Sequence, residues 1–154
     1  MIEEHVDITT SDGLMNTFVT YPEEGGPFPV VFFYMDAPGK REELHDMARR
    51  IATVGYFVVL PNLYYRQTRQ FDFVRDEAGM EKMFAMMHSL TNKLILQDTQ
   101  AMLDFVDQHK HAAADRVGAV GYCMSGPFVL AAAGGHPDRI QCAASIYGAN
   151  LLND

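Results

Sequence analysis

The 154-residue sequence predicts an α/β fold, a three-layer sandwich whose mostly parallel sheet carries helices on both faces and an antiparallel hairpin at its start. Three observations predict it. Val30–Met35 and Tyr56–Leu60 are unbroken apolar runs, the form taken by strands covered on both faces. The segments between such runs repeat apolar residues every three or four positions, as helices do. Around Cys123 a strand-like pattern passes into a helix-like one across a run of small residues.

Taken in order, His5–Thr9 alternates polar and apolar residues, Ser11-Asp12-Gly13 signals a turn, and Leu14–Thr20 resumes an extended pattern, which makes a hairpin. Pro22–Pro29 is a loop, because its prolines and glycines forbid regular structure. After the Val30–Met35 strand and the Asp36-Ala37-Pro38-Gly39 loop, Leu44, Met47, Ala48, Ile51 and Ala52 trace a helix that Gly55 ends. The Tyr56–Leu60 strand leads into Pro61–Arg66 and a mixed region to Asn92, where Met80, Met83, Phe84 and Met87 recur at helical spacing. That stripe suits core packing, with a flexible apolar wall over a pocket as the minority reading. Leu94, Asp98, Ala101, Met102, Phe105 and Val106 mark a further helix, with His109-Lys110-His111 at its carboxyl end. Gly134 and Gly135 stop the helix that follows Cys123, and Ala143–Tyr147 forms a last strand in which Cys142 is expected to be a buried strand-end residue.

The stretch that organises the chain is RVGAVGYCMSGPFVLAAAG, Arg116 to Gly134. Val117–Gly121 suits a buried strand and Phe128–Ala133 a helix, with Cys123 on the turn between them. A residue on so sharp a turn needs small neighbours two positions away on either side, and here these are Gly121 and Ser125. The turn exposes the sulfur at the carboxyl end of the sheet, where the next helix aims its unpaired amides. The plainer alternative is an ordinary buried cysteine. Ser125 ranks below Cys123 as a nucleophile, since its own flank would be the bulkier Pro127.

GYCMSG closely resembles the elbow of the dienelactone hydrolase family, α/β-hydrolases with a cysteine nucleophile. Val30–Gly39, Met47–Arg66 and Ala143–Leu152 share the likeness, so it spans most of the chain. The resemblance implies an α/β-hydrolase-like domain over residues 1–154 that hydrolyses small esters or lactones. Cys123 attacks the carbonyl, and the backbone amides of Met124 and Ala37 hold the resulting oxyanion. Asp36 stands where other members carry a glutamate that holds or accepts the thiol proton, and it is one methylene shorter. Its alternative role is to cap the following helix. Tyr64, Tyr65 and Arg66 fall at the cleft mouth; Arg66 either pairs with a substrate carboxylate or lays its stem over the tyrosine rings.

The family also uses an acid and a histidine that follow the last strand seen here. None of the six histidines stands at that position, and His136 is expected at the opposite rim, one helix length from the elbow. The chain therefore reads as the amino-terminal part of a longer domain with the C-terminal strands missing, and slow or absent hydrolysis is expected from it alone. The 143–147 strand would be an open edge, to be covered by those strands or by a second copy.

Composition bounds the rest. A formal charge of −8 disfavours nucleic acid and anionic membranes as partners, and no leader or membrane span is legible, which points to a cytoplasmic protein with a small-molecule substrate. Both cysteines, Cys123 and Cys142, are expected as free thiols. His109 and His111 lack further ligands at plausible spacing, so no metal is expected, and no cofactor. The competing readings are a non-catalytic α/β module holding a phosphate or cofactor on the elbow helix, and an assembly fragment pairing through its open edge. GYCMSG lacks both a dinucleotide fingerprint and a P-loop lysine.

Overall fold

The computed structural model describes residues 1–151. Leu152 and Asp154, which the expectations about the chain's end invoke, lie outside the described residues. The order is β1 (Ile2–Thr10), β2 (Gly13–Tyr21), β3 (Phe28–Tyr34), α1 (Glu42–Ala52), β4 (Phe57–Pro61), α2 (Glu77–His88), α3 (Asn92–Asp107), β5 (Ala112–Tyr122), a 3₁₀ turn (Cys123–Ser125), α4 (Gly126–Gly135) and β6 (Ile140–Ile146). The sheet order is β1-β2-β4-β3-β5-β6, antiparallel across the first three strands and parallel across the rest.

Local chemistry accounts for the helices. Glu42 and Glu43 open α1 and Arg49 and Arg50 close it, each charge matching its end of the helix dipole. Asp76 caps α2 by accepting from the Gly79 N–H at 2.7 Å, and Thr91 caps α3 through the Leu94 N–H at 3.3 Å. β4 is apolar and buried at every position. It lies among Phe18, Phe32 and Phe33, with Leu44 and Ala48 of α1 and Met102, Leu103 and Val106 of α3 in the same core.

Chain order decides where a site can form. From β3 the chain crosses through α1 to β4 on one side, then returns through α2 and α3 to β5 on the other. Right-handed crossovers put α1 on the face opposite α3 and α4, and the direction reverses between β3 and β5. Ligands of open α/β sheets bind at such a switch point, outside the carboxyl ends of the strands.

Cys142 is exposed, contrary to the expectation of a buried strand end. Among the described residues β6 is the outermost strand and no helix covers the outer part of the α1 face. Val31, Tyr56, Val120 and Cys142 there line an open groove of about 310 Å³.

Candidate active site

Strand register brings the site together. Tyr34 pairs with Gly121 across β3 and β5, so two residues further on Asp36 and Cys123 leave neighbouring strands side by side. Tyr122 pairs with Ile146 across β5 and β6, which sets Tyr147 on the other flank of Cys123. Asp36, Cys123 and Tyr147 form one row at the carboxyl edge, although 111 residues separate the outer two.

Cys123 has φ +52°, a left-handed conformation that costs a non-glycine residue energy and persists only where surrounding packing holds it. The packing is visible on both sides. A Cβ at Gly121 would sit 2.3 Å from the Ser125 carbonyl oxygen and 2.9 Å from Val129 Cβ. Ser125 is fully buried and its hydroxyl donates to the Met35 carbonyl, tying the elbow to the end of β3. The Cys123 carbonyl accepts from the Ala149 N–H at 3.0 Å. The sulfur-bearing residue itself is half-buried and makes no disulfide.

The loop after β3 is a tight turn in which the Gly39 N–H donates to the Asp36 carbonyl at 3.1 Å, with Gly39 at φ +90°. A trans peptide points its N–H opposite its carbonyl, so this bond aims the Ala37 N–H out of the turn. Among the described residues that N–H makes no hydrogen bond, and Met124 stands in the first turn of the elbow helix, where backbone amides lack an intrahelical partner. Asp36 caps no helix: the residue at the α1 cap is Arg41, without a side-chain cap bond. Its carboxylate instead takes both arms of Arg41, at 2.6 and 3.0 Å, while Arg41 also donates to the Gly39 carbonyl at 2.9 Å. The Asp36 bond, with smaller contributions from Glu43 and Tyr147, raises the Arg41 pKa further above its ordinary value.

Tyr64 is fully buried, and its hydroxyl donates to the Ala37 carbonyl at 2.8 Å while lying 3.2 Å from the Met124 sulfur. Burial pushes its phenol up, and the nearby Asp36 and Cys123 push it the same way. Arg66 has its fork filled by protein carboxylates. It donates to both oxygens of Asp98 at 2.7 and 2.9 Å and to Asp12 at 2.7 Å, and its guanidinium carbon lies 4.5 Å over the Tyr65 ring.

A model of the dienelactone hydrolase family matches residues 15–154. This chain belongs to the dienelactone hydrolase family. The carboxymethylenebutenolidase of Pseudomonas putida is 27% identical over 154 residues, covering 98% of this chain and 63% of the relative. A candidate carboxymethylenebutenolidase of Methylorubrum extorquens is 27% identical over 158 residues, covering 100% of this chain and 51% of the relative. Among solved structures, a candidate dienelactone hydrolase of Klebsiella pneumoniae superposes with a TM-score of 0.84 at 24% identity, covering 99% of this chain and 62% of that protein. The fold is of the α/β-hydrolase type. The chain spans about half the length of the curated relatives it matches.

Beside the elbow of this dienelactone hydrolase family member lies a cavity of about 250 Å³, lined by Met87, His88, Leu90, Met124, Pro127 and Phe128 among others. The methionine stripe therefore divides: Met83 joins the core and Met87 lines the cavity. His88 is at the cavity wall, and four other histidines lie elsewhere. His45 stacks on Phe18 at 4.2 Å, His109 and His111 lie against Tyr21, and His136 follows the far end of α4, 3.3 Å from the Leu96 carbonyl. Among the described residues no group of three or more His, Cys, Asp or Glu could hold a metal ion, and no helix is long and apolar enough to cross a membrane. Sequence reasoning missed Arg41 and Tyr147. Only the parallel register of β5 and β6 could have pointed to Tyr147.

Proposed function

We propose that this chain carries the nucleophile and oxyanion-binding part of a hydrolase acting on small esters or lactones, with Cys123 as the nucleophile. The observation that carries the reading is the left-handed Cys123, held between Gly121 and Ser125 at the amino end of α4 and beside Asp36. The name carboxymethylenebutenolidase borne by its relatives supports a lactone as substrate class.

The sulfur attacks the carbonyl carbon, an S–C bond forms, and the π electrons move to the oxygen. That oxyanion accepts from the N–H groups of Met124 and Ala37, each worth about 3 kcal/mol in sites of this kind. Collapse breaks the ring C–O bond and leaves a thioester, which water must then cleave. Asp36, which leaves the strand next to that of Cys123, takes the thiol proton, and Arg41 holds it in position meanwhile. Thioester cleavage needs a base, and no histidine among the described residues hydrogen-bonds Cys123; the isolated chain is expected to acylate faster than it turns over.

The test is a single-turnover reaction with 4-nitrophenyl acetate. A burst of one nitrophenolate per chain is expected, with the acetyl group found on Cys123 by peptide mass spectrometry and not on the exposed Cys142. Cys123→Ala should slow the burst by about 10³-fold or more. An undiminished burst, or equal labelling of both cysteines, would refute the assignment.

A further inference from the structure

Two amides stabilise one oxygen only if their spacing is fixed. Here they belong to segments 87 residues apart, Ala37 in the turn after β3 and Met124 in the elbow after β5. Both side chains are buried, at 3% and 5% exposure, and one group touches both residues. That group is the Tyr64 hydroxyl, which gives its proton to the Ala37 carbonyl, the stronger acceptor, and rests against the Met124 sulfur.

We propose that Tyr64 is a positioning residue that sets the separation of the two oxyanion donors. The inference rests on the reading of Cys123, Met124 and Ala37 as an acyl-transfer site. The Ala37 N–H is then pinned from both sides. The peptide that contains it is fixed by the Gly39-to-Asp36 bond, and the next carbonyl along the chain is fixed by Tyr64. Tyr64 is itself anchored: its N–H donates to the Asn62 side chain at 3.0 Å, and its carbonyl accepts from the Gln67 and Thr68 N–H groups at 2.8 and 2.9 Å. Its ring lies edge-on to Phe71, with centroids 5.6 Å apart. Burial and the neighbouring Asp36 and Cys123 keep the phenol protonated, so it remains a donor throughout the working pH range. The Ser125-to-Met35 bond ties the same two segments on the other side of the elbow, so the donors sit between two clamps.

Two thiol probes separate oxyanion geometry from thiol access. Iodoacetamide alkylates sulfur, forming S–C and releasing iodide, and places no charge on an oxygen. Butanal adds reversibly; the S–C bond forms as the carbonyl π bond breaks, and the new oxygen occupies the oxyanion position before it takes the thiol proton. In Tyr64→Phe the alkylation rate at Cys123 should stay within about twofold of wild type, while butanal affinity, read by ¹³C NMR of the labelled aldehyde, falls about tenfold. The acetylation burst should slow by a similar factor. Met124→Leu, which removes only the sulfur contact, should weaken butanal binding in the same sense by about two- to threefold, and decides alone if Tyr64→Phe does not fold. Unchanged butanal affinity at an unchanged alkylation rate overturns the role of Tyr64. Butanal binding that survives in Cys123→Ala overturns the underlying site instead.

Discussion

Arg66–Asp98 and Arg41–Asp36 are both two-armed arginine–aspartate pairs, set in opposite surroundings. The Asp98 side chain is 0% exposed and its partner 14%, and the pair joins the loop after β4 to α3. Asp36 and Arg41 are 17% and 32% exposed and lie five residues apart in one loop, at the end of the row that contains Cys123. In the first pair the loss of Arg66 strands the Asp98 carboxylate away from water, whereas Arg66 has Asp12 as a second partner. In the second, water can replace either partner. Sequence alone ranks the two arginines the other way, since Arg66 belongs to the motif-like Tyr64-Tyr65-Arg66 run and Arg41 to none. Burial decides which pair holds the fold and which stays available for chemistry.

The largest effect expected from this difference is on stability. Arg66→Met leaves the Asp98 carboxylate buried without its counter-charge and should cost about 3–5 kcal/mol in urea unfolding. A loss below about 1 kcal/mol would place Arg66–Asp98 in the same class as the open pair. Asp36→Asn should change unfolding by less than about 1 kcal/mol yet slow acetylation of Cys123 at least about fivefold, since the proposed proton acceptor is gone. If Asp36→Asn unfolds as readily as Arg66→Met, the contrast fails.

The smallest effect concerns His45, on the first turn of α1, whose Nδ1 lies 3.0 Å from Glu42 and whose Nε2 has no partner among the described residues. Burial lowers its pKa below the ordinary 6.5, against the opposing bond to Glu42; Lys40 and His5 face it and lower it further. The fold therefore holds His45 neutral while the unfolded chain takes up a proton below about pH 6.5, so stability falls as pH drops from there towards the folded value. His45→Phe, which keeps the stacking on Phe18, should lose less of its urea midpoint between pH 7.5 and 5.5 than wild type. An equal loss would mean that His45 carries no share of the acid sensitivity.

What could be read from the sequence follows the range of the interactions involved. The elbow was legible because its constraint is local: Gly121, Cys123 and Ser125 are fixed by one strand-to-helix turn. The apolar runs of β3 and β4 and the spacing of α1 and α3 were legible for the same reason. The Asp98 partnership was not, because helix periodicity shows only that position 98 faces inward, and the arginine that satisfies it lies 32 residues earlier. Cys142 was misjudged because apolar neighbours in sequence do not reveal that β6 is outermost. Sequence places Tyr64 only at the cleft mouth; the bond from its hydroxyl to the Ala37 carbonyl is not legible there, because that contact exists only once β3 and β4 lie side by side.

The row of Asp36, Cys123 and Tyr147 depends on strands that end in step, and this divides the chain by its tolerance for changes of length. From Val30 to Tyr34, β3 matches β5 residue for residue. One residue added there would turn each later side chain to the opposite face and carry Asp36 out of line with the sulfur. The return paths through Gln67–Val74 or between α2 and α3 have no such count to keep. Natural or engineered insertions can collect on those helical returns, while the last turns of the central strands admit none without dissolving the row.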